Sequence, residues 1–279
     1  MHQSIGIMQG RLLPKVENRY QTFPGENWEK EFAIASELKL NTIEFILDEY
    51  SFSTNPLMCD DGLKKIKQAT INTNVFIKSI CADYFMNHPI HLNDKKKNIE
   101  VFSKLFKSAD FLGVKDIVIP CVDNSSIKLE KNKLDFIKKI EHLINDAEKY
   151  KINLALETDL NPEEYSKLLE VLNSKNITVN YDIGNSASLN YNIDEEFHAY
   201  GHKISNIHIK DREINGGPVV LGSGNADFDQ YFKSLIKYGV NPNIFIFQAY
   251  RDDQGVDIFE KQFKWYNRLL SKYKISQNE

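Results

Sequence analysis

The chain has 279 residues, 35 of them basic and 39 acidic, for a net charge of -4. So even a balance offers no global attraction for nucleic acid or for an anionic membrane, and leaves a small molecule as the expected partner. Two average domains would fit this length, but α/β barrels of about 250 residues are common as one, so a single domain over residues 1–279 is expected.

The N-terminal stretch lacks a basic leader and a long apolar core, and no later run approaches the length of a membrane span. Cys59, Cys81 and Cys121 are odd in number and outside any CxxC pair, which suits free thiols in a reducing compartment. A soluble, cytoplasmic protein is expected.

In chain order, short apolar runs rich in β-branched residues lie near 4–8, 42–47, 75–80, 116–120, 152–157, 177–181, 204–209 and 244–248. Amphipathic stretches near 27–39, 60–73, 93–112, 131–149, 162–173, 192–200, 227–238 and 256–273 alternate with them. In these stretches apolar residues recur at helical spacing, as in Phe102, Leu105, Phe106 and Ala109. Asn161-Pro162 followed by Glu163 and Glu164 marks a helix start, and Gly113 and Gly239 mark helix ends. Trp28, Phe32 and Trp265 read as helix packing, and Lys95 to Lys97 as a solvated helix start. Eight strand-helix units without a linker predict a (β/α)8 barrel of the α/β class, with a doubly wound open sheet as the rival.

Strand parity supports closure. Asn206, His208 and Lys210 share one strand face opposite Ile207 and Ile209, Asn180 and Asp182 oppose Val179 and Tyr181, and Thr42 and Glu44 oppose Ile43 and Phe45. The polar faces should look into the barrel. Four of the apolar runs end in Glu157, Asp182, His208 and Gln248, spaced 25, 26 and 40 residues apart, about one βα unit each with its loop. All four should therefore reach the same barrel end, where ligands of such folds collect. Two carboxylates, an imidazole and an amide oxygen suit a divalent cation; hardness favours Mn2+ or Mg2+, with Co2+ and Zn2+ compatible.

Ala155-Leu156-Glu157-Thr158, Tyr181-Asp182-Ile183-Gly184-Asn185, Ile207-His208-Ile209-Lys210-Asp211 and the run Leu221 to Phe228 resemble the xylose isomerase-like TIM-barrel superfamily. The opening run Gly6 to Leu12, which contains Gln9 and Arg11, and the Glu44 strand resemble it too. The resemblance implies a sugar or sugar phosphate isomerase or epimerase whose metal is held by residues matching Glu157, Asp182, His208 and Gln248. The position of Gln248 departs from the pattern, because the family places there a glutamate that also moves a proton. An amide cannot exchange a proton near neutral pH.

The implied chemistry removes a proton next to a carbonyl, with Glu157 as base and the cation stabilising the enediolate. Lys210 could steady an oxyanion or form a salt bridge, and Glu44 could orient a hydroxyl or act as a replacement acid. Gln9, Arg11, His88 and Arg251 are the candidate substrate contacts, His88 sharing its loop with His91. The glycines from Gly216-Gly217 to Gly224 could cradle a phosphate, or form a loop whose Asp227 caps a helix. A dehydratase acting on a keto-cyclitol and a ligand-binding barrel without turnover stay open. An apurinic endonuclease would need more ligands and a basic face. A homo-oligomer is left open.

Overall fold

The computed structural model describes residues 4–242, 244–253 and 255–273. The first three residues of the N-terminal stretch, residues 243 and 254, and residues 274–279 lie outside them. Eight parallel strands form a closed barrel: β1 (Ser4–Met8), β2 (Thr42–Ile46), β3 (Phe76–Cys81), β4 (Asp116–Cys121), β5 (Asn153–Thr158), β6 (Ile177–Asp182), β7 (Ile204–Ile209) and β8 (Ile244–Phe247). Each pairs with its sequence neighbours, and β8 closes onto β1 with Gly6 opposite Ile246. Closure removes the sheet edge and rules out the open-sheet rival.

Eight principal helices alternate with the strands: α1 (Lys30–Glu37), α2 (Asp60–Thr73), α3 (Lys95–Leu112), α4 (Glu130–Tyr150), α5 (Pro162–Leu172), α6 (Ile193–Tyr200), α7 (Phe228–Lys237) and α8 (Val256–Lys272). Their ends follow local chemistry. Asn161 accepts the Glu164 N–H at 2.9 Å ahead of Pro162, and Gly113 closes α3 with a positive φ. Asp227 accepts the Gln230 N–H at 2.8 Å, so it caps α7. The sequence pattern did not show two short helices, Tyr84–Asn87 and Ile183–Ser188, or the two-residue ribbon pairing Asp211–Arg212 with Pro218–Val219.

The apolar strand faces pack beneath the helices: Ile43, Phe45, Ile207, Ile209 and Phe247 are fully buried, with Phe247 against Phe259 and Tyr266 of α8. The polar faces turn inward, as parity requires. Glu44 of β2 thus reaches across the barrel to Asn206 and His208 of β7. Strands β1 and β2 approach so closely at Gly6 that a Cβ there would sit 2.1 Å from the Thr42 Cγ2. Only glycine fits. Among the described residues no helix is long and apolar enough to cross a membrane.

Candidate metal and catalytic site

Glu157, Asp182 and His208 occupy the C-terminal ends of β5, β6 and β7, and ligand atoms of all three lie within 4.8 Å of one another. The His208 Nδ1 is 3.3 Å from the Glu157 Oε2 and 3.9 Å from the Asp182 Oδ2. Donors around one divalent ion, each about 2.0–2.6 Å from it, span distances of this size. Two carboxylates and an imidazole, aimed at one point and all buried, therefore fit a cation.

Each ligand is held from behind. Asn180, inward-facing on β6, donates its amide to the Glu157 Oε2 at 2.7 Å, and Asn185 donates to the Glu157 Oε1 at 2.7 Å. Asp182 caps the short helix Ile183–Ser188 by accepting the Asn185 backbone N–H at 2.8 Å, which fixes that carboxylate. His208 presents its Nε2 to the Glu44 Oε1 at 2.8 Å, which leaves Nδ1 facing the ligand cluster. Ser79 and Asn206 hold the other oxygen of Glu44 at 2.6 and 2.9 Å. Glu44 is thus fully buried beneath the imidazole, and its geometry is that of an orienting carboxylate.

The electrostatics follow from this packing. Burial alone would lower the His208 imidazole, but the charge of Glu44 and its contacts with Glu157 push it up to about 10. Burial would raise the Glu157 carboxyl, yet His208, Lys210 and the Asn180 amide hold it below the usual range, as His208, Ser79 and Asn206 do for Glu44. A cation would replace the imidazole proton that these carboxylates retain.

Above the cluster lies a cavity of about 420 Å³ whose lining includes Glu157, Asn185, Lys210, Gln248, Gln21 and Asp83. The Lys210 Nζ reaches the Asp182 Oδ2 at 3.3 Å and the Gln248 Oε1 at 2.9 Å, combining the salt bridge with a place in the cavity wall. Gly184 makes room for its stem, since a Cβ there would meet the Lys210 Cγ at 2.7 Å. Gln248 reaches the site, and its amide N–H donates to the Gln21 Oε1 at 3.1 Å.

The structure does not bring the four expected substrate contacts to the cavity wall. Gln9 is buried and accepts the Ile46 N–H at 3.1 Å. Arg11 donates to the Tyr20 carbonyl at 2.6 Å, and Arg251 to the Leu13 carbonyl at 2.6 Å, so both guanidinium groups fasten the loop after β1 from within. His88 stacks on Tyr84 and meets the Glu49 Oε1 at 2.9 Å. The glycine loop is filled from inside as well. Asp211 accepts the N–H groups of Gly222 and Gly224 at 2.9 Å and of Ala226 at 3.0 Å.

Asn180, Asn185, Gln21 and Asp83 also belong to the site, although the sequence pattern alone assigns them no role there. Asn180 shares the inward parity of Asp182 and Asn185 belongs to the motif that names it, so both were within reach of the pattern. Asp83 follows the end of β3 by only two residues, but no local pattern distinguishes it from the histidines farther along its loop.

The xylose isomerase-like TIM-barrel family matches residues 32–269. A Haemophilus influenzae protein provisionally named L-ribulose-5-phosphate 3-epimerase is 27% identical over 227 residues, covering 75% of this chain and 79% of that protein. The crystal structure of the IOLI protein with a bound zinc atom superposes with a TM-score of 0.76 at 18% identity, over 97% of this chain and 99% of the other. D-allulose 3-epimerase from Methylomonas sp., solved with D-allulose, gives a TM-score of 0.70 at 16% identity over 96% and 97%. At such identities the two structures carry the fold, and the family match rests on the sequence. This chain belongs to the xylose isomerase-like TIM-barrel family.

Proposed function

We propose that this chain is a divalent-metal-dependent epimerase of an unphosphorylated keto sugar, working through an enediolate. It is an enzyme of the isomerase type, as its named relatives are. The observation that carries the mechanism is the cluster of Glu157, Asp182 and His208, of which Glu157 lines the cavity. Asp182, His208 and Glu157 would hold the cation, with the Gln248 oxygen as the fourth donor. Manganese or magnesium suits the donors, and the zinc-bound relative keeps zinc in view. Once bound, the cation supplies Lewis-acid polarisation of the substrate carbonyl and charge stabilisation of the enediolate.

The protein's own groups do the rest. The Glu157 Oε2 faces His208 and Asn180, whereas Oε1 lies beside Asn185 in the cavity wall, so Oε1 is the oxygen that takes the α-proton. Its amide bonds lower basicity and fix direction, so positioning supplies much of the rate. The Lys210 Nζ stands where it can donate to a developing oxyanion.

The cavity lining favours an uncharged sugar. Asp83, Asp123 and Glu157 face it, whereas its cations are engaged: Lys210 by Asp182, and Arg19 by Glu17 and the Tyr50 ring. A phosphate dianion would meet carboxylates without a free partner. The free thiols, Cys81 and Cys121 both buried, fit a reducing, cytoplasmic setting. The test is a screen of manganese-loaded protein against D-tagatose, D-allulose, L-ribulose and L-ribulose 5-phosphate by NMR in deuterium oxide. Epimer formation with solvent deuterium at the carbon next to the carbonyl is expected. Absence of exchange in all four would refute the reading.

A further inference from the structure

An amide at position 248 leaves the site with Glu157 and no second carboxylate at the end of β8. The hydrogen bonds show where another carboxylate lies. Lysine can only donate, so the Gln248 atom 2.9 Å from the Lys210 Nζ must be the oxygen, and the Gln248 N–H groups then face Gln21. The Gln21 atom receiving that bond must be its own oxygen, and its NH2 therefore points to the Asp83 Oδ1 at 2.7 Å. The chain Lys210, Gln248, Gln21, Asp83 thus runs in one sense, from a fixed donor to a carboxylate. A glutamate at 248 could not pass it on, because it would have no N–H for Gln21.

We infer that Asp83 is the second proton-transfer group of the site, facing the substrate from the Gln21 side while Glu157 faces it from the end of β5. The assignment rests on the epimerase reading above. Asp83 lines the same cavity as Glu157, is only half-buried, and its Oδ2 accepts from no described residue. Strands β3 and β5 are two spacings apart, roughly 9–10 Å, room for a sugar chain between the two carboxyls. Of the other acidic residues, Glu44 is sealed beneath His208, and Asp123, on the same cavity, is exposed to solvent.

The step balances without a further reactant. The α-carbon's proton passes to the Glu157 Oε1, and the C–H electron pair enters the enediolate. Protonated Asp83 then gives its proton to the same carbon from its own side, leaving carboxylate. Exchange with water returns a proton to Asp83 and removes one from Glu157; the reverse reaction exchanges the roles. A ready supply of protonated Asp83 is consistent with burial and the nearby charges of Asp48 and Glu157, which push its carboxyl up to about 6 against the Gln21 bond.

Asp83→Asn keeps an acceptor for Gln21 and tests the assignment on the same sugars in deuterium oxide. Metal content and melting temperature should match wild type. Conversion to the epimer should fall at least about 100-fold, while the starting sugar still takes up deuterium through Glu157. In metal-free protein labelled with 13C at the aspartate carboxyls, the resonance missing from Asp83→Asn should titrate near 6. Epimer formation within about threefold of wild type would overturn the assignment alone. So would joint loss of exchange and epimerisation in a folded, metal-loaded variant. Absence of exchange in wild type would overturn the epimerase reading and this assignment with it.

Discussion

Asp211→Asn probes the claim that the glycine loop is filled from within. Asp211 is fully buried and its two oxygens accept three backbone N–H groups, those of Gly222 and Gly224 on Oδ2 and that of Ala226 on Oδ1. An asparagine whose carbonyl turns to the glycine pair sets its NH2 against the Ala226 N–H; the opposite rotamer sets it against two donors. The better choice loses one bond to a charged acceptor and weakens two others. With each worth about 1.5–3 kcal/mol, the expected loss is about 3 kcal/mol. For a chain of this size that is roughly 6–12 °C in melting temperature. Thermal unfolding followed by circular dichroism checks it, with and without millimolar inorganic phosphate. Wild type should show no phosphate-dependent rise, because the N–H groups that would bind the anion are taken. A drop of less than about 2 °C in Asp211→Asn, or a clear phosphate-induced rise in wild type, would refute the reasoning.

Asp182→Ala and His208→Ala should each abolish tight metal binding in elemental analysis, because removing one of the three clustered ligands leaves two of them and a neutral amide oxygen; full stoichiometric metal in either would count against the ligand set. Gly184→Ala should keep its metal but lose about 10- to 100-fold in turnover, since the new methyl displaces Lys210 from Gln248; unchanged steady-state kinetics would show that Lys210 need not sit there. L-ribulose should be converted with a higher kcat/KM than its 5-phosphate, given the carboxylates at Asp83, Asp123 and Glu157; a preference for the phosphate in coupled NMR assays would contradict the charge argument.

What could be read in the sequence divides along physical lines. Glu157, Asp182 and His208 were legible because strand parity and strand ends are local properties, and a parallel barrel brings all strand ends to one rim. Glu44 was half legible. Its inward direction follows from parity, but its depth does not, since the space above it is filled by Asn206 and His208 from the far side of the barrel. Arg11 and Arg251 read as substrate contacts because a guanidinium near a strand end commonly is one. Here carbonyls of the loop after β1 take their protons, a choice made by tertiary packing alone. The glycine loop hid its anion in the same way, since nothing local to Gly222 and Gly224 shows that the Asp211 carboxylate will fold back onto them.

The central claim is that Glu157 moves a carbon-bound proton at a metal site it also helps to form. NMR in deuterium oxide with metal-loaded wild type and Glu157→Gln compares the two directly. The amide can still offer an oxygen to the cation but takes no proton. The account predicts deuterium uptake next to the carbonyl in wild type and none in Glu157→Gln, with metal retained in both. Equal uptake by the two proteins would contradict it.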